Sequence, residues 1–96
     1  MKNFKVEAIN IKNLRNGLKV SRHQLGYKLK HKQEDGVPKE EIAKFLQINR
    51  TKHNLADFNI RRLEQLIIQY KKSPDTVLYN DIKKLFQTIK IAITKH

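Results

Sequence analysis

The sequence predicts an all-α fold: a compact bundle of about five helices that closes with an antiparallel pair. Three observations carry this. Only three Gly and two Pro interrupt 96 residues, so elements run long and turns are few. Apolar residues recur at helical spacing over most of the chain and alternate like a strand only briefly, near the N-terminus. Two long apolar stripes follow one another in the C-terminal half across a short break, as in an antiparallel helix pair. The length is that of a single domain. Residues 1–53 read as a basic part and residues 54–96 as a helical hairpin.

In residues 3–9, NFKVEAI, alternate positions hold Phe4, Val6 and Ala8. The same residues also suit the start of a helix that continues through Ile11, Leu14 and Leu18, with Gly17 near its end. Ser21 has Gln24 three residues on, so SRHQ reads as a capping box. It opens a second helix over 21–33, with Leu25 and Leu29 inward. Glu34-Asp35-Gly36 is a turn. Pro38 suits the first turn of a third helix, where Glu40 and Glu41 favour the positive end. Ile42, Ala43, Phe45 and Leu46 are its core side. INRTKH, 48–53, has no apolar period and reads as a connection. The next helix, about 54–72, places Ala56, Ile60, Leu63, Ile67 and Tyr70 on one stripe. SPDT, 73–76, breaks the chain. A last helix, about 75–95, repeats the pattern with Leu78, Ile82, Leu85, Ile89 and Ala92. Leu55, Phe58, Leu66, Phe86 and Ile93 widen both stripes, for the core or for a homodimer surface through helices 54–72 and 75–95.

Charge is the strongest signal in the composition. The chain carries a formal +12, with a pI near 10.1, which meets the first test for nucleic-acid binding. Residues 1–33 hold nine Lys or Arg and a single acid, whereas residues 34–70 hold six of each sign. Concentration in one third of a chain marks a working face rather than general solubility. The stretch LRNGLKVSRHQLGYKLKHK, 14–32, has six Lys or Arg and no acid. Lys19, Arg22, Lys28, Lys30 and Lys32 are therefore the expected phosphate partners. His23, Gln24 and Tyr27 lie among them. Gln pairs with adenine, Arg with guanine, and Tyr bonds phosphate or stacks.

Other chemistries lack their residues. With no Cys there is no disulfide, thiolate zinc site or thiol nucleophile. His23 and His31 are eight residues apart, against the i, i+4 spacing of zinc helices, and His53 and His96 stand alone. Glu40 and Glu41 are helix neighbours that do not face each other. No phosphate loop or nucleophile elbow is present. A non-enzymatic protein without metal or cofactor is expected. No apolar run reaches the roughly 20 residues of a membrane span, and MKNFKVEAIN lacks the apolar stretch of a signal peptide. The expected place is the cytoplasm, on the nucleoid if DNA is bound, and away from membranes.

LRNGLKVSRHQLGYKL, 14–29, resembles the start of a helix-turn-helix domain of the phage Cro/C1 repressor type. The matching positions are Leu14-Arg15, Ser21, Leu25-Gly26 and Leu29. The resemblance implies a turn at Lys19-Val20, close approach of two helices at Gly26, and double-stranded DNA as partner. It implies a transcription regulator or accessory factor of a phage, plasmid or other mobile element. The chain departs from the family after Leu29, where KHKQEDG replaces a short turn. Glu40 and Glu41 would also repel phosphate at the usual reading helix, so helix 21–33 is the expected reader. A lesser resemblance is to ribbon-helix-helix proteins, with a strand at NFKVEAI presenting Asn3, Lys5 and Glu7. Two rivals stand beside DNA binding. One is a protein-binding inhibitor that occupies an acidic or nucleic-acid-binding groove of a host protein, with Glu34, Asp35, Glu40 and Glu41 as its face. The other is RNA binding, for which Tyr27, Tyr70 and Tyr79 are widely dispersed.

Overall fold

In the computed structural model, which describes residues 4–94, one turn of 3₁₀ helix at Val6–Ala8 precedes three long helices. These are α1 (Ile11–Glu34), α2 (Lys39–Lys72) and α3 (Thr76–Thr94). The all-α expectation holds among the described residues. The expectation of about five helices does not, because two predicted breaks are continuous helix.

The first is at residues 19–21. α1 starts at Asn10, whose side chain accepts from the Asn13 amide at 3.2 Å, and runs unbroken to Glu34. Ser21 is no cap. It is buried in mid-helix and donates its hydroxyl to the Ile93 carbonyl at 2.8 Å. Gly17 is no terminator either. A Cβ there would lie 2.9 Å from Ile93 Cδ1, so glycine is what lets α3 approach. Gly26, expected at a close approach, has nothing within 4 Å of such an atom. The helix-turn-helix arrangement is therefore absent from residues 14–29, which lie on one helix.

The second break was the connection at 48–53, which lies inside α2. Ile42, Leu46, Asn49, His53, Ala56, Ile60, Leu63 and Ile67 follow alternate spacings of four and three, a heptad seam. Asn49 and His53 hold seam positions with polar side chains, and Asn49 satisfies itself by donating to the Phe45 carbonyl at 2.8 Å.

The two remaining turns match the sequence reading. Gly36 takes φ 77°, the left-handed conformation that glycine adopts without strain. There the Val37 amide reaches the Lys32 carbonyl and the Gly36 amide reaches that of Gln33, a Schellman stop. α2 then opens at Pro38 with Glu40 and Glu41 in its first turn. At residues 73–75 the chain reverses again into α3.

Residues 4–9 contain no strand, which removes the basis for a ribbon-helix-helix; Asn3 lies outside the described residues. Phe4 instead packs edge-on to Tyr79, with ring centroids 5.6 Å apart, and against Phe86. Tyr79 donates its hydroxyl to the Phe4 carbonyl, and Val6 is buried. This segment closes one end of the core.

That core lies among Leu14 and Leu18 of α1, Ala56, Ile60, Leu63 and Ile67 of α2, and Ile82, Ile89 and Ile93 of α3. Ile60, Leu63, Ile82 and Ile89 are completely enclosed. Each such side chain contributes roughly 1.5–3 kcal/mol by burial. The expected pairing of the last two helices is present, with α3 antiparallel to the second half of α2. α1 is antiparallel to α2 as well, since Arg15 bonds Glu64 while Lys32 covers Phe45.

The molecule is elongated rather than compact. Its extents are 54 × 23 × 21 Å and its radius of gyration is 16.5 Å, against about 12–13 Å for a compact chain of this length. The cause is unequal helix length. α2 measures about 51 Å and α3 about 28 Å at 1.5 Å per residue. Since α3 stops beside Ser21, the bundle has three helices at one end. At the other, the later part of α1 and the first part of α2 project as a two-helix arm.

Candidate nucleic-acid interface

The eight residues singled out in the sequence all lie on α1, but they face four ways. Lys19, His23, Tyr27 and Lys30 fall on one stripe of the solvent face, at intervals of roughly one turn. All four are exposed, Tyr27 to 70%, so this aromatic ring is available to a ligand. Arg22 turns to one flank and Lys28 to the other, because each lies about a quarter-turn or less from the seam that faces α2. Lys32 follows Leu25 by seven residues and so joins the seam itself. It is half-buried, with Nζ 4.5 Å from the centre of the Phe45 ring. Gln24 is half-buried too, and its Oε1 has no hydrogen-bond partner among the described residues.

The flanks gain cations from α2. On one side of the arm, Arg22 of α1 and Arg50 of α2 line a common recess of about 480 Å³ over Leu25, Leu29 and Leu46. On the other side, Lys28 of α1 and Lys52 of α2 line a recess of about 310 Å³ over Leu25 and Phe45. Each recess thus has one cation from each helix. No carboxylate lines either. Among the described residues the ion pairs are Arg15 with Glu64, Arg61 with Asp57 and His31 with Glu34. None of the waist cations Lys19, Arg22, Lys28, Lys30, Arg50 and Lys52 takes part.

Arg50 and Lys52 escaped the sequence reading because charge was averaged over 34–70, where it sums to zero. The acids of that third are not mixed with its bases. Glu34, Asp35, Glu40 and Glu41 gather at the hairpin between α1 and α2, whereas residues 42–56 contain Lys44, Arg50 and Lys52 and no acid. A window of one or two helical turns would have found the segregation. The result is an arm with an acidic tip and a basic waist.

The histidines and tyrosines scatter. His53 is buried between the two flanks and lines both recesses. Tyr70 and Tyr79 pack together at the far end with ring centres 6.5 Å apart, half-buried and unavailable as a stacking platform. Among the described residues, no three His, Cys, Asp or Glu side chains are grouped so as to hold a metal ion. Among the described residues, no helix is long and apolar enough to cross a membrane.

No protein-family model matches this chain, and no curated protein or solved structure is significantly similar to it. The candidate surface is described by its own geometry: a stripe of exposed side chains on α1 that begins and ends with a lysine, flanked on both sides by cation pairs shared with α2.

Proposed function

We propose that this protein binds double-stranded DNA without catalysis, gripping the phosphate backbone with the waist of its α1–α2 arm. The observation that carries this is the absence of acid where the cations converge. Residues 22–33 and 45–56 hold six Lys or Arg between them and no carboxylate, and the two segments lie side by side, as Lys32 over Phe45 shows. Phosphate binding releases condensed counterions from the duplex, so such a surface gains affinity without reading bases. Lys19 and Lys30 take the role of backbone contacts. His23 and Tyr27, between them on the same stripe, contact the sugar–phosphate edge. Arg22 and Arg50, and Lys28 and Lys52, extend the contact around the arm. The continuous α1 offers no protruding recognition helix of the helix-turn-helix kind, so the proposed role is an accessory one, coating or bending DNA, rather than operator recognition.

The test is a titration of mixed-sequence duplex at several salt concentrations. With about six phosphates neutralised, log K should fall against log salt with a slope near −5. Replacing Lys19 and Lys30 together by Gln, a comparable helix former, should reduce the slope by about two and weaken all sequences alike. Absence of binding by the parent at low salt, or an unaltered slope in a folded double variant, rejects DNA as the partner.

A further inference from the structure

Gly26 lies inside α1 with no packing reason to be glycine. A Cβ added there would meet nothing within 4 Å, and glycine weakens a helix interior. What Gly26 does border is the recess of about 480 Å³ between Arg22 and Arg50. A side chain at that position would take up part of this space, so the glycine keeps it open. The floor is apolar, made by Leu25, Leu29 and Leu46, of which the last two are only partly buried. The two arginines come one from each helix, and neither pairs with a carboxylate among the described residues. Asn54 lines the same recess and is exposed. No described residue of α3 takes part in it.

We infer that this recess receives one extrahelical nucleotide, a base turned out of the DNA duplex together with its phosphate. The inference rests on the DNA-binding role proposed above and specifies which duplexes are preferred. Phosphates alone would engage the guanidiniums and leave the leucine floor and Asn54 without a task. A base turned out of its stack has flat, largely apolar faces and a polar edge, and proteins hold it by apolar contact and edge hydrogen bonds. Leu25, Leu29 and Leu46 cover one face. A guanidinium is planar and weakly hydrated, so Arg22 and Arg50 suit both bidentate phosphate pairing and contact with the other face. The Asn54 amide carries the donor and the acceptor that pair with an edge of adenine. The volume falls in the range of about 300–1,000 Å³ that holds small molecules. Turning out a base costs least where it is already unpaired, so duplexes with a bulged base are the favoured partners.

Three duplexes of one sequence test this. One is fully paired, one carries a single unpaired adenine at its centre, and one carries a base-less sugar in place of that adenine. Each is titrated with the full-length protein at the same low salt. The adenine bulge should bind at least about tenfold more tightly than the base-less bulge, because the two share backbone and charge and differ only in the base. Gly26→Leu, which puts a side chain into the recess, should bring the two bulges to within about twofold of each other. Thermal denaturation should show this variant at least as stable as the parent, since leucine is the better helix former. Asn54→Ala, at an exposed position, should cut the preference for adenine by about fivefold or more. Binding of the paired duplex with no preference between the two bulges overturns the inference and leaves the DNA-binding role in place. A preference that survives both substitutions overturns it as well. Failure to bind any of the three duplexes removes the DNA-binding role, and this inference with it.

Discussion

At Gly17 and Ser21 the small side chains that usually mark a helix boundary serve instead to let a third helix in. Two substitutions distinguish these roles. Ser21→Ala removes the donor to a buried carbonyl in the last turn of α3 and should cost about 1–3 kcal/mol. That loss alone would also fit a cap, so Ser21→Asp decides. Asp is a good N-cap, whereas here its carboxylate would be buried against a carbonyl oxygen, two acceptors face to face. Thermal denaturation should show Ser21→Asp far less stable than Ser21→Ala. Equal or better stability would mean that Ser21 starts a helix. The glycines give the converse pair. Gly26→Ala meets open space in mid-helix and should stabilise by about 0.5–1 kcal/mol, read as a rise in Tm of several degrees. Gly17→Val must displace the buried Ile93 side chain and should destabilise by about 1–3 kcal/mol. These residues were legible in the sequence as special, but their meaning was not. The partner that gives them meaning, Ile93, lies more than seventy residues away, and a local capping signature is identical in both cases.

Among the elements, the second half of α2 and all of α3 were legible because every seam position there is apolar. The first half of α2 was not, because Asn49 and His53 occupy the seam where a reader expects Leu. The same polar positions make the arm the weaker part of the fold. It has two helices instead of three, a half-exposed Ile48 and recesses on both flanks. Hydrogen exchange should therefore be graded along α2, with amides 42–52 opening at lower free energy than amides 58–68. Uniform protection along the helix would contradict this. Leu63→Ala, in the enclosed core, should cost about 2–5 kcal/mol and lower the protection of all three helices together. Phe45→Ala should cost less and act on the arm alone.

For the whole molecule, compactness was the expectation that failed. It rested on counting about five helices, and five helices in 96 residues pack into a ball, whereas three unequal ones form a rod that ends in a two-helix arm. Small-angle scattering should return a radius of gyration near the Cα value of 16.5 Å. A value near 13 Å would mean that the arm folds back onto the bundle. The net charge and its concentration were legible from composition, and so was the basic α1. The contribution of α2 was hidden because its acids are next to its bases in sequence and apart from them in space.

The separation of an acidic tip from a basic waist gives the rod a preferred attitude toward any polyanion. Approaching duplex DNA tip-first, it would present Glu34, Asp35, Glu40 and Glu41 to the phosphates, and the field would turn it until the waist faced them. On the proposed DNA-binding role, the rod would then come to rest lengthwise. A body 54 Å long lying along the duplex screens about 16 base pairs at 3.4 Å each, whereas one standing on its 23 Å end screens about seven. The stoichiometry at saturation, counted in base pairs per protein on a long duplex, thus reports how the molecule lands as well as whether it binds.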